Sequence, residues 1–302
     1  MSTLDDTLDE LGAFLKDGAR APEAARIRAC LAHRNNCVVA SAASCAAKHA
    51  LADLRGVLVA AWSRFAENGV KTDKGCVAKK SLVKALDRLG HDDHRWFAAA
   101  STCVQIEPAY GGPVDTAVGV RCAAAHALSR FPWYHSSKPL VKLLGDPSPQ
   151  ARLSAIEVVS AYEGSEPEMV LLTKTVAGDS SEEVMGACFR SLLVLDQAGY
   201  LDLVGQRLHQ GPEEARLEAA LALGGTHSDR ALELLREAWD DAAGVEKRRS
   251  LLLAISMLRT AGAAAFLAGV RADRRYANIA AEALAAYPAS LTEGLDKVKS
   301  AQ

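Results

Sequence analysis

The sequence predicts an all-α fold in which helix pairs stack along one axis as a solenoid. A phrase made of a turn residue, five residues, a basic residue and an alanine-rich run recurs, most clearly at residues 115–121 and 146–152. The chain is 49% hydrophobic but only 5% aromatic, so Ala, Leu and Val must fill the core, which suits closely packed helices. The strict alternation typical of half-buried strands is nearly absent. A stack of repeats buries its core along an axis, so 302 residues need not divide into ordinary globular domains.

The repeat frame sets the expected order of elements. Residues 73–79, 210–216 and 242–248 keep the six-residue offset, whereas at 179–185 the base is replaced by Met185. The predicted units start near Asn36, Asp73, Asp115, Asp146, Asp179, Gln210, Ala242 and Asp273. Their first two intervals are 37 and 42 residues and the other five are 31 to 33. We therefore expect about eight helix pairs: capping helices at 1–35, irregular units at 36–114, and regular repeats with a C-terminal cap at 115–302.

Both ends of the chain have an amphipathic pattern. Leu4, Leu8, Leu11 and Leu15 follow Ser2-Thr3 at helical spacing, which predicts an N-terminal helix capped by one of these hydroxyls. Its single apolar stripe suits a lid on the open end of a stack. Residues 290–298 (SLTEGLDKV) predict an amphipathic tail.

Residues 137–162 show the pattern within one unit. A first helix (KPLVKLLG) ends in a Gly-Asp-Pro turn, and a second helix begins near Pro149, where a missing N–H costs nothing. Asp146 is placed to cap that second helix. Arg152 lies one turn inside it, within reach of an aspartate of the same or a neighbouring unit. Stacking then predicts an Asp/Arg ladder.

The pattern LLxDPxxxxRxxA within residues 139–159 resembles a HEAT repeat, and the period of about 32 residues is similar to the short bacterial HEAT-like repeats of phycobilisome lyases. The resemblance is strongest over residues 115–273. It implies a right-handed α-α superhelix whose second helices line the concave face. Here those helices would begin near Val77, Ala117, Pro149, Glu182, Pro212 and Val245.

Charge and cysteine content narrow the function classes. The net charge of −2 argues against a protein whose main task is coating nucleic acid or anionic lipid, although residues 1–150 carry 19 basic against 15 acidic residues. Seven cysteines without CxxC or Cys/His ligand spacing predict reduced thiols and no metal site. The N-terminus lacks the pattern of a secretory signal, and no stretch reaches the ~18 apolar residues of a membrane span. We expect a cytoplasmic protein without a membrane partner.

Residues 104–116 (VQIEPAYGGPVDT) are the most unusual segment and the leading candidate site. Glu107, Tyr110, the Gly111-Gly112 pair and Asp115 lie just before a predicted helix, where backbone N–H groups can meet an anion. The segment matches no nucleotide-binding frame. It is interpreted either as a long turn that accommodates a kink in the stack or as a contact for a ligand or a partner. The aromatic residues Trp133 and Tyr134 are added to the candidate contact surface.

Polar residues of the predicted second helices complete the candidate set. Lys80 and Lys84, with Arg88, share one helix face and would either touch phosphates or an acidic partner or remain solvated. His126 is interpreted as a packed or partly exposed residue of the concave face rather than a catalyst. The cluster at residues 91–94 (HDDH) follows Gly90 and is interpreted as a solvated turn rather than a metal site.

The sequence therefore favours a non-enzymatic adaptor that binds a protein on its concave face and through residues 104–116, with no cofactor and no assigned catalytic residue. The alternatives are HEAT-like enzymes: a tetrapyrrole lyase-like factor, or an alkylpurine DNA glycosylase that holds DNA in a basic concavity. Asp115, Arg121 and Trp133 are the residue types that such a glycosylase uses. The absence of His-Glu pairs argues against the di-iron hydroxylase that some HEAT-type proteins carry.

Overall fold

The computed structural model describes residues 3–210 and 212–292, and these residues form nineteen α-helices, three short 3-10 turns and one two-stranded hairpin. The all-α prediction is confirmed. The chain divides into two compact units, Met1–Tyr162 and Glu163–Gln302. This division falls inside the stretch whose repeat spacing is regular, and not at residue 114, where the spacing changes.

The first unit contains four helix pairs and an N-terminal helix. Its elements are α1 Leu4–Phe14, α2 Ala24–Leu31, α3 Asn36–Lys48, α4 Arg55–Glu67, α5 Gly69–Thr72, α6 Val77–Arg88, α7 His94–Ala100, β1 Ile106–Glu107, β2 Val114–Asp115, α8 Val118–Leu128, α9 Trp133–Leu143 and α10 Pro149–Ser160. The pairs are α2 with α3, α4 with α6, α7 with α8, and α9 with α10. The second helices α3, α6, α8 and α10 pack in a row, each on the next. Helix α1 packs on α3 at the end of this row.

The second unit repeats this arrangement. Its elements are α11 Ser165–Ala177, α12 Glu182–Leu195, α13 Gln197–Gln206, α14 Glu213–Gly224, α15 Asp229–Asp241, α16 Val245–Leu258, α17 Ala261–Val270, α18 Ala277–Ala285 and α19 Ala289–Thr292. Each odd-numbered helix from α11 to α17 pairs with the helix that follows it, and α12, α14, α16 and α18 pack in a row. Among the described residues, the second helix of each of the eight pairs begins within four residues of its predicted turn residue, so the repeat frame located all eight.

The helix starts are set by the side chains that the sequence suggested. Thr3 caps α1: its Oγ1 accepts the Asp6 N–H at 3.2 Å, and the Asp6 carboxylate accepts the Thr3 N–H at 2.9 Å. In the repeats, the turn aspartates accept N–H groups at or just before the second helix, as Asp146 does from Ser148 at 2.8 Å and Asp179 from Ser181 at 2.8 Å. The predicted lid helix is thus present. Residues 293–298 of the predicted C-terminal tail lie outside the described residues.

Alanine and glycine let the second helices approach closely. In α8, Ala124, Ala125 and Ala127 are completely buried. In the second unit, Gly224 of α14 faces the backbone of Ala254 on α16, and a Cβ at position 224 would meet the Ala254 carbonyl carbon at 3.1 Å. Small residues at these positions therefore set the spacing between neighbouring helices. Over the described residues, no helix combines the length and apolarity needed to cross a membrane.

Candidate functional site

The predicted Asp/Arg ladder is present in the first unit, with Arg121 at its centre. The Arg121 guanidinium donates to Asp115 Oδ2 at 2.7 Å and, in bidentate fashion, to Asp146 at 2.7 and 2.9 Å. Its side chain is only 4% exposed. We call the turn residue and the basic residue of one repeat a rung of the ladder. At the next rung, Arg152 Nη1 donates to the carbonyl oxygens of Asp146 and Pro147 at 2.7 and 3.2 Å. One buried cation thus ties two consecutive turns together.

The preceding rung uses a lysine and a glutamine. Lys79 is buried, and its ammonium group donates to the Gln105 side-chain oxygen. Gln105 Nε2 in turn donates to the Asp73 carbonyl at 2.8 Å and to Glu107 Oε1 at 2.6 Å. Gly69 leaves the space for this contact, because a Cβ there would overlap the Gln105 amide oxygen. Gln105 therefore extends the ladder into residues 104–116.

Residues 104–116 form a β-hairpin, a feature that the sequence did not predict. Strands β1 and β2 pair antiparallel with Ile106 opposite Asp115 and Glu107 opposite Val114. Besides the Gln105 amide, Glu107 Oε1 accepts the Thr116 hydroxyl and the Gly75 N–H, both at 2.7 Å. The base of the hairpin is thereby fixed to the turn that precedes α6.

Hydrogen bonds stabilise the ionised form of both hairpin carboxylates. Donation from the Gln105 and Thr116 side chains, and then from the Gly75 N–H, lowers the pKa of Glu107. Partial burial acts to raise the pKa of Asp115, but the N–H groups of Ala117 and Gln105 and the Arg121 guanidinium outweigh it, and the pKa is lowered.

The tip of the hairpin is open to solvent. All residues from Pro108 to Pro113 are exposed, and the Tyr110 side chain projects fully. Gly111 and Gly112 have φ values of 94° and 126°, a backbone region that favours glycine. Val104, Ile106 and Val114 are also at least half exposed, at 63%, 52% and 50%. The hairpin therefore presents apolar side chains on a fixed base.

A basic face lies beside the hairpin. Lys80, Lys84 and Arg88 of α6 are exposed, and within the described residues none of them forms an ion pair or side-chain hydrogen bond. The aliphatic part of the Lys80 side chain lies over the first turn of α8. A Cβ at Gly119 of that turn would meet Lys80 Cδ at 3.2 Å. Lys84 and Arg88 line a cavity of about 450 Å³ between α1, α3 and α6.

His126 lies further along the same row of helices. It is exposed on α8, with Nε2 at 3.8 Å from the exposed Glu157 carboxylate on α10. The structure therefore places His126 as a surface residue.

Trp133 and Tyr134 are separated from the hairpin. The hairpin precedes the N-terminus of α8, whereas these two residues follow its C-terminus, a distance of roughly 16 Å for eleven residues. Trp133 packs against Tyr162 with ring centroids 5.2 Å apart. Tyr134 is 72% exposed beside His135, whose ring stacks on His94 at 3.8 Å. Proximity along the sequence therefore does not place these aromatic residues in one surface with Tyr110.

The turn at residues 91–94 has a structural role in the fold. Asp93 caps α7 by accepting the Arg95 and Trp96 N–H groups at 2.9 and 3.3 Å. Over the part of the chain that the structure describes, no group of three or more His, Cys, Asp or Glu side chains is arranged to hold a metal ion.

Sequence reasoning missed Gln105. The available signal was the 42-residue interval between Asp73 and Asp115, which places extra residues after Lys79, while Asp115 itself binds Arg121. A buried lysine then needs another acceptor, and the inserted segment supplies it.

Acidification is expected to loosen the hairpin. Because the folded-state pKa values of Glu107 and Asp115 lie below their ordinary values of 4.5 and 3.8, their stabilising effect is complete above those values and is lost as pH falls through the lower folded values. We expect the thermal midpoint, measured by circular dichroism from pH 6 to 3, to fall less steeply in Glu107→Gln than in the wild type. Exposed Glu23→Gln serves as the control. Equal slopes in the wild type and Glu107→Gln would contradict this role of Glu107.

Comparison with known proteins finds only a distant structural similarity to a solved structure. No protein-family model matches it, and no curated protein matches it. Among solved structures, it is similar to human deoxyhypusine hydroxylase in complex with glycerol, with 17% identity and a TM-score of 0.32 over 85% of this chain and 91% of that one. A likeness at this level carries no inference about function.

Proposed function

We propose that this protein is a non-enzymatic adaptor whose first unit binds a protein partner through the hairpin and the adjacent face of α6. The observation that carries the proposal is the contrast within the hairpin. Its base is held by Gln105, Glu107 and Asp115, while Tyr110 is fully exposed at its tip. A fixed backbone reduces the ordering cost of binding, and exposed aromatic residues often anchor interfaces.

The charge beside the hairpin indicates the kind of partner. Lys80, Lys84 and Arg88 have no internal counterion among the described residues, and Lys80 lies over the first turn of α8, four residues after the end of the hairpin. Cations at the rim of an interface steer oppositely charged surfaces together. The partner is therefore expected to present an apolar pocket bordered by acidic side chains.

The contacts of Asp115 weigh against the glycosylase alternative. Its carboxylate already accepts the Gln105 and Ala117 N–H groups at 3.1 and 3.0 Å and the Arg121 guanidinium at 2.7 Å. A carboxylate committed to three donors is a poor general base. Trp133, the aromatic residue of that alternative, lies at the other end of α8.

The proposal is tested by partner capture followed by a direct affinity measurement. Tyr110→Ala is expected to weaken binding by about tenfold or more, as truncation of an interface anchor does, while Tyr134→Ala leaves it unchanged. Tyr134 is a matched control because it is an exposed tyrosine on the same unit. The affinity of the purified partner is measured by calorimetry, and thermal midpoints verify that both variants fold.

Charge reversal and nuclease treatment supply the second arm. Lys80→Glu with Lys84→Glu is expected to weaken binding and to remove most of its salt dependence. Capture that disappears after nuclease treatment would contradict a protein partner. Equal losses in Tyr110→Ala and Tyr134→Ala would contradict the assignment of the site to the hairpin.

A further inference from the structure

In the second unit, two consecutive repeats keep the ladder arginine, Arg216 or Arg248, but have no aspartate at their own turn position. The positions equivalent to Asp115 and Asp146 are Gln210 and Ala242, whereas Arg216 occupies the position of Arg121. Where Arg121 binds two carboxylates, the chain offers Arg216 none at either position.

In neighbouring repeats of this unit, a ladder residue that has lost its usual partner binds another group. Asp179, whose own rung has Met185 instead of a base, is bound by Lys174 Nζ at 2.7 Å. Arg248 donates to the Ala242 carbonyl at 3.2 Å and lies 5.3 Å from the centre of the Trp239 ring. Arg216 has no such substitute: within the described residues its guanidinium forms no hydrogen bond or ion pair, although the residue is only partly exposed.

A cavity of about 440 Å³ opens at Arg216, between α14, the end of α15 and the start of α16. Its apolar lining is formed by Leu208, Leu217, Ala220, Ala238, Ala242 and Leu251. This volume lies within the range of about 300–1,000 Å³ that is usual for small-molecule sites.

The charged groups of the lining are of both signs. Arg216, Lys247 and His209 supply the basic side chains. Glu213, Glu214 and Asp241 are exposed acidic residues of the same lining, and Asp241 lies 3.7 Å from His209. With three carboxylates nearby, the cavity suits a ligand of one negative charge better than a dianion such as a phosphate monoester.

We propose that this cavity binds a small organic carboxylate with an apolar body. The ligand's carboxylate takes the place opposite Arg216 that Asp146 occupies opposite Arg121, and its apolar body lies on the leucine and alanine lining. A guanidinium matches a carboxylate in bidentate geometry, so Arg216 is suited to this ligand class. The site belongs to the second unit alone and does not depend on the proposed adaptor function.

Octanoate is a suitable probe, with 1-octanol as the uncharged analogue of equal chain length. Calorimetry on the full chain is expected to show saturable octanoate binding that is about tenfold or more tighter than octanol binding. Arg216→Gln should weaken octanoate binding by a similar factor and leave octanol binding unchanged. Arg274→Gln, an exposed arginine of the same unit outside the cavity lining, should change neither.

A second variant tests the idea by restoring the missing carboxylate. Ala242→Asp places an acidic side chain where the first unit has Asp146, so it should occupy Arg216, raise the thermal midpoint and weaken octanoate binding by about tenfold. The proposal is overturned if octanoate and octanol bind equally, if neither binds, or if both Arg216→Gln and Ala242→Asp retain wild-type octanoate affinity.

Discussion

Arg121→Ala is expected to lower the free energy of unfolding by about 3–5 kcal/mol, the range observed when one partner of a buried ion pair is removed. The Arg121 guanidinium binds Asp115 and Asp146 and also donates to the Cys103 carbonyl at 2.8 Å. Removing it leaves the Asp146 carboxylate, which is 9% exposed, without its counterion. Urea unfolding followed by circular dichroism gives the midpoint and slope that measure the loss.

The control for this prediction is Arg88→Ala. Arg88 is an exposed arginine of the same unit with no ion-pair partner among the described residues, so its removal should change the unfolding free energy by no more than about 0.5 kcal/mol. A loss in Arg121→Ala as small as that of the control would show that the ladder does not stabilise the stack.

Gly224→Ala is expected to cost about 1–3 kcal/mol, as overpacking of a filled core does. The added Cβ would collide with the Ala254 carbonyl group on α16, and a backbone atom cannot turn aside as the end of a side chain can. The two second helices α14 and α16 must then move apart. The fall in thermal midpoint measures the effect.

The next residue provides a matched control. A Cβ at Gly225 would meet its nearest atom, the Ala222 carbonyl oxygen, at an ordinary 3.6 Å, and the residue has the αR conformation with φ −76°. Gly225→Ala is therefore expected to be neutral or to stabilise by about 0.4–1 kcal/mol through a less flexible unfolded chain. Similar losses at positions 224 and 225 would contradict close packing of α14 on α16 as the cause.

The repeated phrase predicted the helix pairs because several copies contain their own start signal and the fixed spacing places the others. Residues such as Asp146 and Pro149 act within a few positions of themselves, and the six-residue offset to Arg152 fixes the register of the following helix. Such local signals do not depend on the tertiary structure. Eight second helices could therefore be placed from the sequence.

The hairpin could not be predicted in the same way. Its two strands have two residues each, which is too short for an alternating pattern, and its base depends on contacts with Gly75 and Lys79, about thirty residues earlier. The cavity at Arg216 was not predicted either. The loss of aspartate at positions 210 and 242 is visible in the sequence, but the space beside the arginine is a property of the packed helices.

Within a short stretch of chain, the hairpin separates residues that are bonded to the rest of the fold from residues that face solvent. Gln105, Glu107, Asp115 and Thr116 are committed to neighbouring groups of the fold, whereas the six residues 108–113 between the strands face solvent. Changes in those six positions would alter the exposed surface of the hairpin without touching the contacts that keep the helices together. This surface can therefore diverge among descendants of this chain while the architecture is inherited unchanged.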